Sequence, residues 1–279
     1  MIILNCNNGV KMSSPWSCLK LNYVPMTMGV ICSLGLITCY IVAVLRNDVS
    51  PYVPFISETG GKFPEAGLFS IFLYLTSTIA LSTMFVRYMI VAELNKGIDR
   101  MTDVLNRASI VIGFIALMGM VVVAAYPMTS IGTVHGIGAN VLFLGGVIYA
   151  ILQTFLTYKM SPTYNGLTIC HIRLIVTCIA AISLIAMLVI GPLAFDDWTS
   201  VYHDHWTGSK VPNDKGFGLM LGSAIAEWAM ALSFLAYYFT FIREFGKVFM
   251  HLRVQLLVTH FDEEPQDINT ANERTPMVM

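Results

Sequence analysis

Glu58, Glu65, His135, Asn140 and Glu227 are the side chains of this sequence that stand where chemistry is possible. Each is a polar or ionisable group inside or beside a long apolar run. Such groups are costly in hydrocarbon and turn toward the interior of a helix bundle. A carboxylate and an imidazole brought together can act as an acid/base pair, or as part of a metal site for lipid hydrolysis. The same groups serve equally as interhelical hydrogen bonds, typically worth less than about 2 kcal/mol. His203 and His205 in "VYHDHW" project to one face of an extended segment, but two ligands do not complete a zinc site. Neither HExxH nor GxSxG occurs. The expectation is therefore a lumen-facing polar cluster without catalytic residues, metal or cofactor.

The elements that would position this cluster are apolar helices. Of the 279 residues, 56% are hydrophobic and only 12% charged, about half the usual charged share. A net charge of −1 offers no basic field for nucleic acid. Six windows are long enough for a ~30 Å hydrocarbon core, which takes roughly 20 helical residues. They lie at about 24–45, 66–91, 108–126, 133–158, 172–195 and 217–242. The fold class is all-α: a polytopic, six-span membrane bundle. "PMTSIG" between the third and fourth windows predicts a tight antiparallel hairpin, and "GFIALMG" and "GIGANVLFLGG" predict close helix packing there.

Twelve of the 16 Lys and Arg residues fall on one predicted face: Lys11, Lys20, Arg87, Lys96, Arg100, Arg107, Lys159, Arg173, Arg243, Lys247, Arg253 and Arg274. Arg46, Lys62, Lys210 and Lys215 fall on the other. The excess marks the cytosolic side, so both termini are expected there. Residues 1–23 lack a cleavable signal pattern and read as a cytosolic segment. None of the six cysteines lies in a predicted lumenal loop, and Cys170 at a helix end is a candidate for palmitoylation, an inert thiol being the plainer reading.

The connector "PYVPFISETGGKFPEAGLF" is dense in turn residues and carboxylates. Pro51 and Pro54 stop the first helix, Ser57 and Thr59 can bond nearby backbone, and Gly60 and Gly61 permit positive φ. Pro64-Glu65 reads as the start of the second span, with the carboxylate at its positive end. Pro54, Ser57, Glu58, Thr59, Gly60, Pro64 and Glu65 together predict an ordered cap over the lumenal mouth of the bundle. At the other end, residues 243–261 place apolar side chains at helical spacing among Arg243, Lys247 and Arg253, predicting a juxtamembrane helix on lipid headgroups. Residues 262–279 are polar and read as a disordered, partner-binding cytosolic tail.

"PFISETGGKFPEAGLFSIFLYLTS", "FVRYMIV", "VHGIGANVLFLGGVIYAILQTFLTYKMSP", "CHIRLIV" and "SAIAEWAMALSFLAYYFTFIREF" resemble, in order, the damage-regulated autophagy modulators (DRAM), six-span proteins of the wider Frag/DRAM/Sfk group. The resemblance runs over residues 24–254, and "NERT" near the end resembles one branch's tail. It implies residence in lysosomal or other endomembranes and a positive role in autophagy, with links to cell death. Membrane lipids and an unknown cytosolic protein would be the partners. It brings no catalytic residue. Other branches resemble GPI-lipid remodelling factors and plasma-membrane scaffolds for a phosphoinositide kinase, which define the alternatives.

Overall fold

The computed structural model describes residues 2–3, 21–202 and 206–250. His203, His205, Arg253, residues 251–261 of the expected juxtamembrane helix, the tail 262–279 and residues 4–20 lie outside the described residues.

Among the described residues six helices are long and apolar enough to cross a membrane. They are α1 (Tyr23–Leu45), α3 (Glu65–Asn95), α4 (Arg100–Ala125), α5 (Gly132–Lys159), α6 (Leu167–Tyr202) and α7 (Phe217–Phe239). The short helix α2 (Ile56–Thr59) lies in the first connector, and α8 (Phe241–Phe245) continues α7 after a break at Thr240. A 3₁₀ turn spans Thr207–Ser209, and a two-residue antiparallel pairing joins β1 (Ile2–Ile3) to β2 (Phe249–Met250). That pairing puts residues 2–3 beside the segment after α8.

The long helices adjoin in chain order, α1 against α3, then α4, α5, α6 and α7, and α7 meets α1 to complete a ring. The α4/α5 hairpin is the closest joint, and its glycines are the reason. A Cβ on Gly119 would sit 2.6 Å from the Gly138 carbonyl oxygen, and one on Gly138 3.0 Å from that of Gly119. The two backbones touch, as small-residue helix interfaces in membranes do.

Helix boundaries extend past the apolar windows where local caps allow it. α4 begins at Arg100 because Asp99 caps it, its carboxylate accepting from the Met101 amide at 3.1 Å. Arg100 and Arg107 thus stand on a helix, and the turn before it is reduced to a few residues around Lys96, which is left-handed. α6 runs two turns beyond the expected end, through Asp196 and Asp197 to Tyr202, and accommodates Pro192 in its interior. At about 54 Å for its 36 residues it outreaches a ~30 Å hydrocarbon core. Its final turns rise beside the first connector, where Trp198 and Ala194 pack with Phe55, Met220 and Ala224.

Two expectations change at this level. Gly60 is not at positive φ; its φ is −111°, and what it supplies is room, since a Cβ would lie 2.3 Å from the Phe69 ring. The left-handed position of the connector is Val53 (φ 45°), an unfavourable residue for it. The helix expected from residue 243 onward ends instead at Phe245, capped at Gly246. Phe245 and Val248, on the apolar face expected to meet lipid, are buried in a cluster with Leu21, Val86 and Tyr237.

Candidate functional site

The ring has a polar cluster at each end and a cavity between them. At the connector end, α2 is laid across the bundle and fastened from three directions. Glu58 folds back on its own turn, its Oε2 accepting from the Phe55 amide at 2.8 Å. The same oxygen takes the Lys210 ammonium at 2.7 Å, and both side chains are at most 1% exposed. Lys210 reaches in from the α6–α7 connector and lies 5.2 Å from the centre of the Phe55 ring. From α7, Glu227 accepts the Ile56 amide at 2.9 Å and the Trp228 indole donates to the Pro54 carbonyl at 2.8 Å. A four-residue helix cannot satisfy its own first amides, so a carboxylate ten residues into a neighbouring span does it. Thr59 Oγ donates to the Ile56 carbonyl at 2.7 Å, and Thr129 of the α4/α5 hairpin to the Gly61 carbonyl.

Of the residues named from sequence, Glu58 and Glu227 come together with Pro54 and Thr59 in this cap. Ser57 Oγ lies 3.6 Å from Met128 Sδ. Glu65 is buried but faces elsewhere: it begins α3 after Pro64, as expected, and its Oε1 lies 2.9 Å from Arg46 Nε in an ion pair. Arg46 hydrogen-bonds Asp48 at 3.2 Å, and Lys62 pairs with Asp48 at 3.3 Å. Asn140 stands apart, exposed and bonded to the Gly136 carbonyl of its own helix at 2.8 Å. His135 is buried, with Nδ1 2.8 Å from the Tyr126 carbonyl and Nε2 without a partner.

His135, Glu227, Ile56 and Ser57 form one end of an internal cavity of about 130 Å³. Five of the six spans line it, α6 excepted, and its walls are otherwise almost entirely apolar. It extends down to Tyr149, whose hydroxyl is also buried without a partner.

At the opposite end lies a cluster that the sequence reading does not foresee. Arg87 (α3) and Arg173 (α6), counted by sequence among the charges that mark the cytosolic face, are fully buried around Glu244 of α8. Arg87 Nη1 lies 2.7 Å from Glu244 Oε2 and Arg173 Nη2 2.8 Å from Oε1. Other guanidinium nitrogens donate to neutral oxygens. Arg87 donates to Gln153 at 3.1 Å and to Thr157 at 3.3 Å; Arg173 donates to Thr157 at 2.5 Å and to Thr240 at 2.8 Å. Gln153 passes the network on to Ser109 at 2.8 Å. The Phe241 ring stacks beneath, 4.5 Å from the Arg173 guanidinium and 5.4 Å from that of Arg87. The chain does carry a signal for it: each arginine is flanked on both sides by apolar residues, in "FVRYMIV" and "CHIRLIV", where a surface charge has no business.

Around this cluster, Tyr164 donates to the Glu244 carbonyl at 3.2 Å, and burial pushes its phenol up to about 12. Lys247 is exposed and donates to the Tyr164 carbonyl at 3.1 Å, while Arg243 is exposed. Cys170 is buried against the Thr157 carbonyl at 3.7 Å. At the surface, Lys159 pairs with Asp99 and holds that carboxyl well below the usual carboxylate range.

Residues 20–248 match the family described as the Frag1/DRAM/Sfk1/Cwh43P N-terminal domain. The chain is 35% identical to "DNA damage-regulated autophagy modulator protein 1" of Xenopus laevis, over 84% of this chain and 94% of that protein. It is 33% identical to "DNA damage-regulated autophagy modulator protein 2" of Bos taurus, over 93% and 97%. "Modulator of macroautophagy TMEM150B" of Danio rerio is 26% identical over 82% and 87%. No solved structure matches the chain. The buried ends of a six-helix membrane ring and these alignments agree: this multi-pass chain belongs to the Frag1/DRAM/Sfk1/Cwh43P family.

Proposed function

We propose that this chain promotes autophagy from the membrane of the lysosome or a related endomembrane compartment, acting through lipid or protein contacts rather than by catalysis. The observation that carries the reading is alignment along most of the chain with two proteins named as autophagy modulators. The geometry supports the non-catalytic part. Glu58 and Glu227, the carboxylates best placed to do chemistry, are occupied by backbone amides and by Lys210. The excess of Lys and Arg favours cytosolic termini, where the tail meets its partner and Arg243 and Lys247 meet headgroups. A tagged chain imaged against lysosomal markers, together with a flux assay in deleted cells, tests this. The expected result is lysosomal signal, flux restored by the intact chain, and loss of rescue on removing residues 262–279, with Glu227→Gln mild. Plasma-membrane residence with unchanged flux contradicts it. Loss of rescue by Glu227→Gln, in protein that still reaches its membrane, would favour a lipid-modifying enzyme.

A further inference from the structure

We infer that the interior cavity is a binding site for one hydrocarbon chain of a lipid whose head donates hydrogen bonds and carries no negative charge, seated under the α2 cap. His135 and Tyr149 mark its ends and stand 14 residues apart on α5, about 21 Å along the axis. One leaflet of a ~30 Å hydrocarbon core is about 15 Å deep, so the length suits a whole chain. The passage is narrow: its volume at rest is near that of a cavity that takes one benzene, so a whole chain enters only as the walls widen. A second chain has no room. Met28, Met84 and Met120 line the passage, and unbranched thioethers are the side chains that yield most readily to an entering chain.

The head is assigned by what the polar end lacks. His135 Nδ1 faces a carbonyl oxygen, which only accepts, so Nδ1 carries the proton and the neutral ring presents a bare acceptor at Nε2. That atom is buried without a partner and its ring lines the cavity. Glu227 lines the same end, but its carboxylate already takes the Ile56 amide, so the bare acceptor is His135 Nε2. A bare, buried acceptor calls for a donor, a hydroxyl or an ammonium. A phosphate finds no cation there, because the nearby Lys210 is already held by Glu58. The shared chemistry is a donating, non-anionic head on a single chain; a long-chain amino alcohol and a monoacylglycerol are its two sources.

The inference gives the lipid contact of the proposed function a chemical class, yet it depends on neither autophagy nor location. Its test uses purified full-length protein, so that its failure leaves the cell-based result standing, and the reverse. Three photoactivatable single-chain probes with the reactive group in mid-chain are compared: a long-chain amino alcohol, a monoacylglycerol and a lysophosphatidic acid. Labelling by one or both of the first two is expected at cavity residues such as Leu142, Ala231 and Phe234. It should exceed lysophosphatidic acid labelling at least tenfold and be suppressed by excess unlabelled probe. His135→Phe, which removes the bare acceptor, should cut labelling by the favoured probe at least fivefold. Ala231→Phe should lower all cavity labelling at least tenfold; competition in the unmodified chain decides the matter if that variant does not fold. Labels confined to outward residues such as Leu144 and Ile151, equal cavity labelling by lysophosphatidic acid, or absence of competition would each overturn the inference.

Discussion

The two ends of the bundle solve the same problem with opposite charges. At the connector end two carboxyls, Glu58 and Glu227, face one ammonium, and backbone amides make up the difference. At the other end two guanidiniums face one carboxylate, and neutral oxygens of Gln153, Thr157 and Thr240 make it up. The first arrangement ties a loop to a helix. The second ties spans to α8, because Arg87, Gln153, Arg173 and Glu244 come from four different elements and Ser109 adds a fifth. The difference teaches that buried charge here joins elements the apolar packing alone leaves poorly specified: helices in lipid gain no hydrophobic drive from meeting one another.

The largest effect is expected at the arginine pair. Glu244→Leu leaves two buried guanidiniums without their carboxylate and should cost about 3–5 kcal/mol, seen as a collapse of thermal stability in detergent. Replacing the whole cluster, Arg87→Met with Arg173→Met and Glu244→Leu, should recover most of that loss, since a well-packed apolar substitute is often neutral. If the triple variant stays as unstable as Glu244→Leu, the cluster does more than join helices. Next is Lys210→Met, which strands Glu58. It should cost less than Glu244→Leu, about 3 kcal/mol, because the Phe55 amide still serves the carboxylate. Adding Glu58→Gln should restore part of it in the same melt.

How far the two ends are legible in the sequence follows from the same contrast. The connector announces itself by its prolines, glycines and acids, which point to Glu58 and the Pro64-Glu65 helix start, and Glu227 stands out as a carboxylate deep in the last apolar run. Lys210 gives no such sign, because nothing local separates a buried lysine in a polar loop from a solvated one. The arginines mislead because the rule that counts Lys and Arg by face takes no account of whether a charge points outward or into the ring. Asn140 is close to His135 in the chain, but its side chain turns away along its own helix. Glycines 60 and 61 read as conformational devices, whereas close packing against Phe69 and Trp206 is what they permit.

Smaller effects sharpen the comparison at its edges. Trp228→Phe removes the indole donor to the Pro54 carbonyl and should cost about 1 kcal/mol, with the cap otherwise in place. Asp99→Asn should shift the melting temperature least. The lowered Asp99 carboxyl contributes stability that is present above its ordinary value near ~3.9 and is lost as pH falls through the depressed one, so the variant and the parent should converge only in strong acid.

The most direct measurement is amide hydrogen exchange across the connector. Glu227 acts as a clamp on α2 through the Ile56 amide, and a buried hydrogen bond to a carboxylate is worth about 1.5–3 kcal/mol. Glu227→Leu should therefore speed exchange at Ile56 by roughly 10- to 150-fold, while Glu227→Gln, which keeps an acceptor oxygen, changes it far less. Protection at Ile56 that is the same in Glu227→Leu as in the parent chain would contradict the clamp.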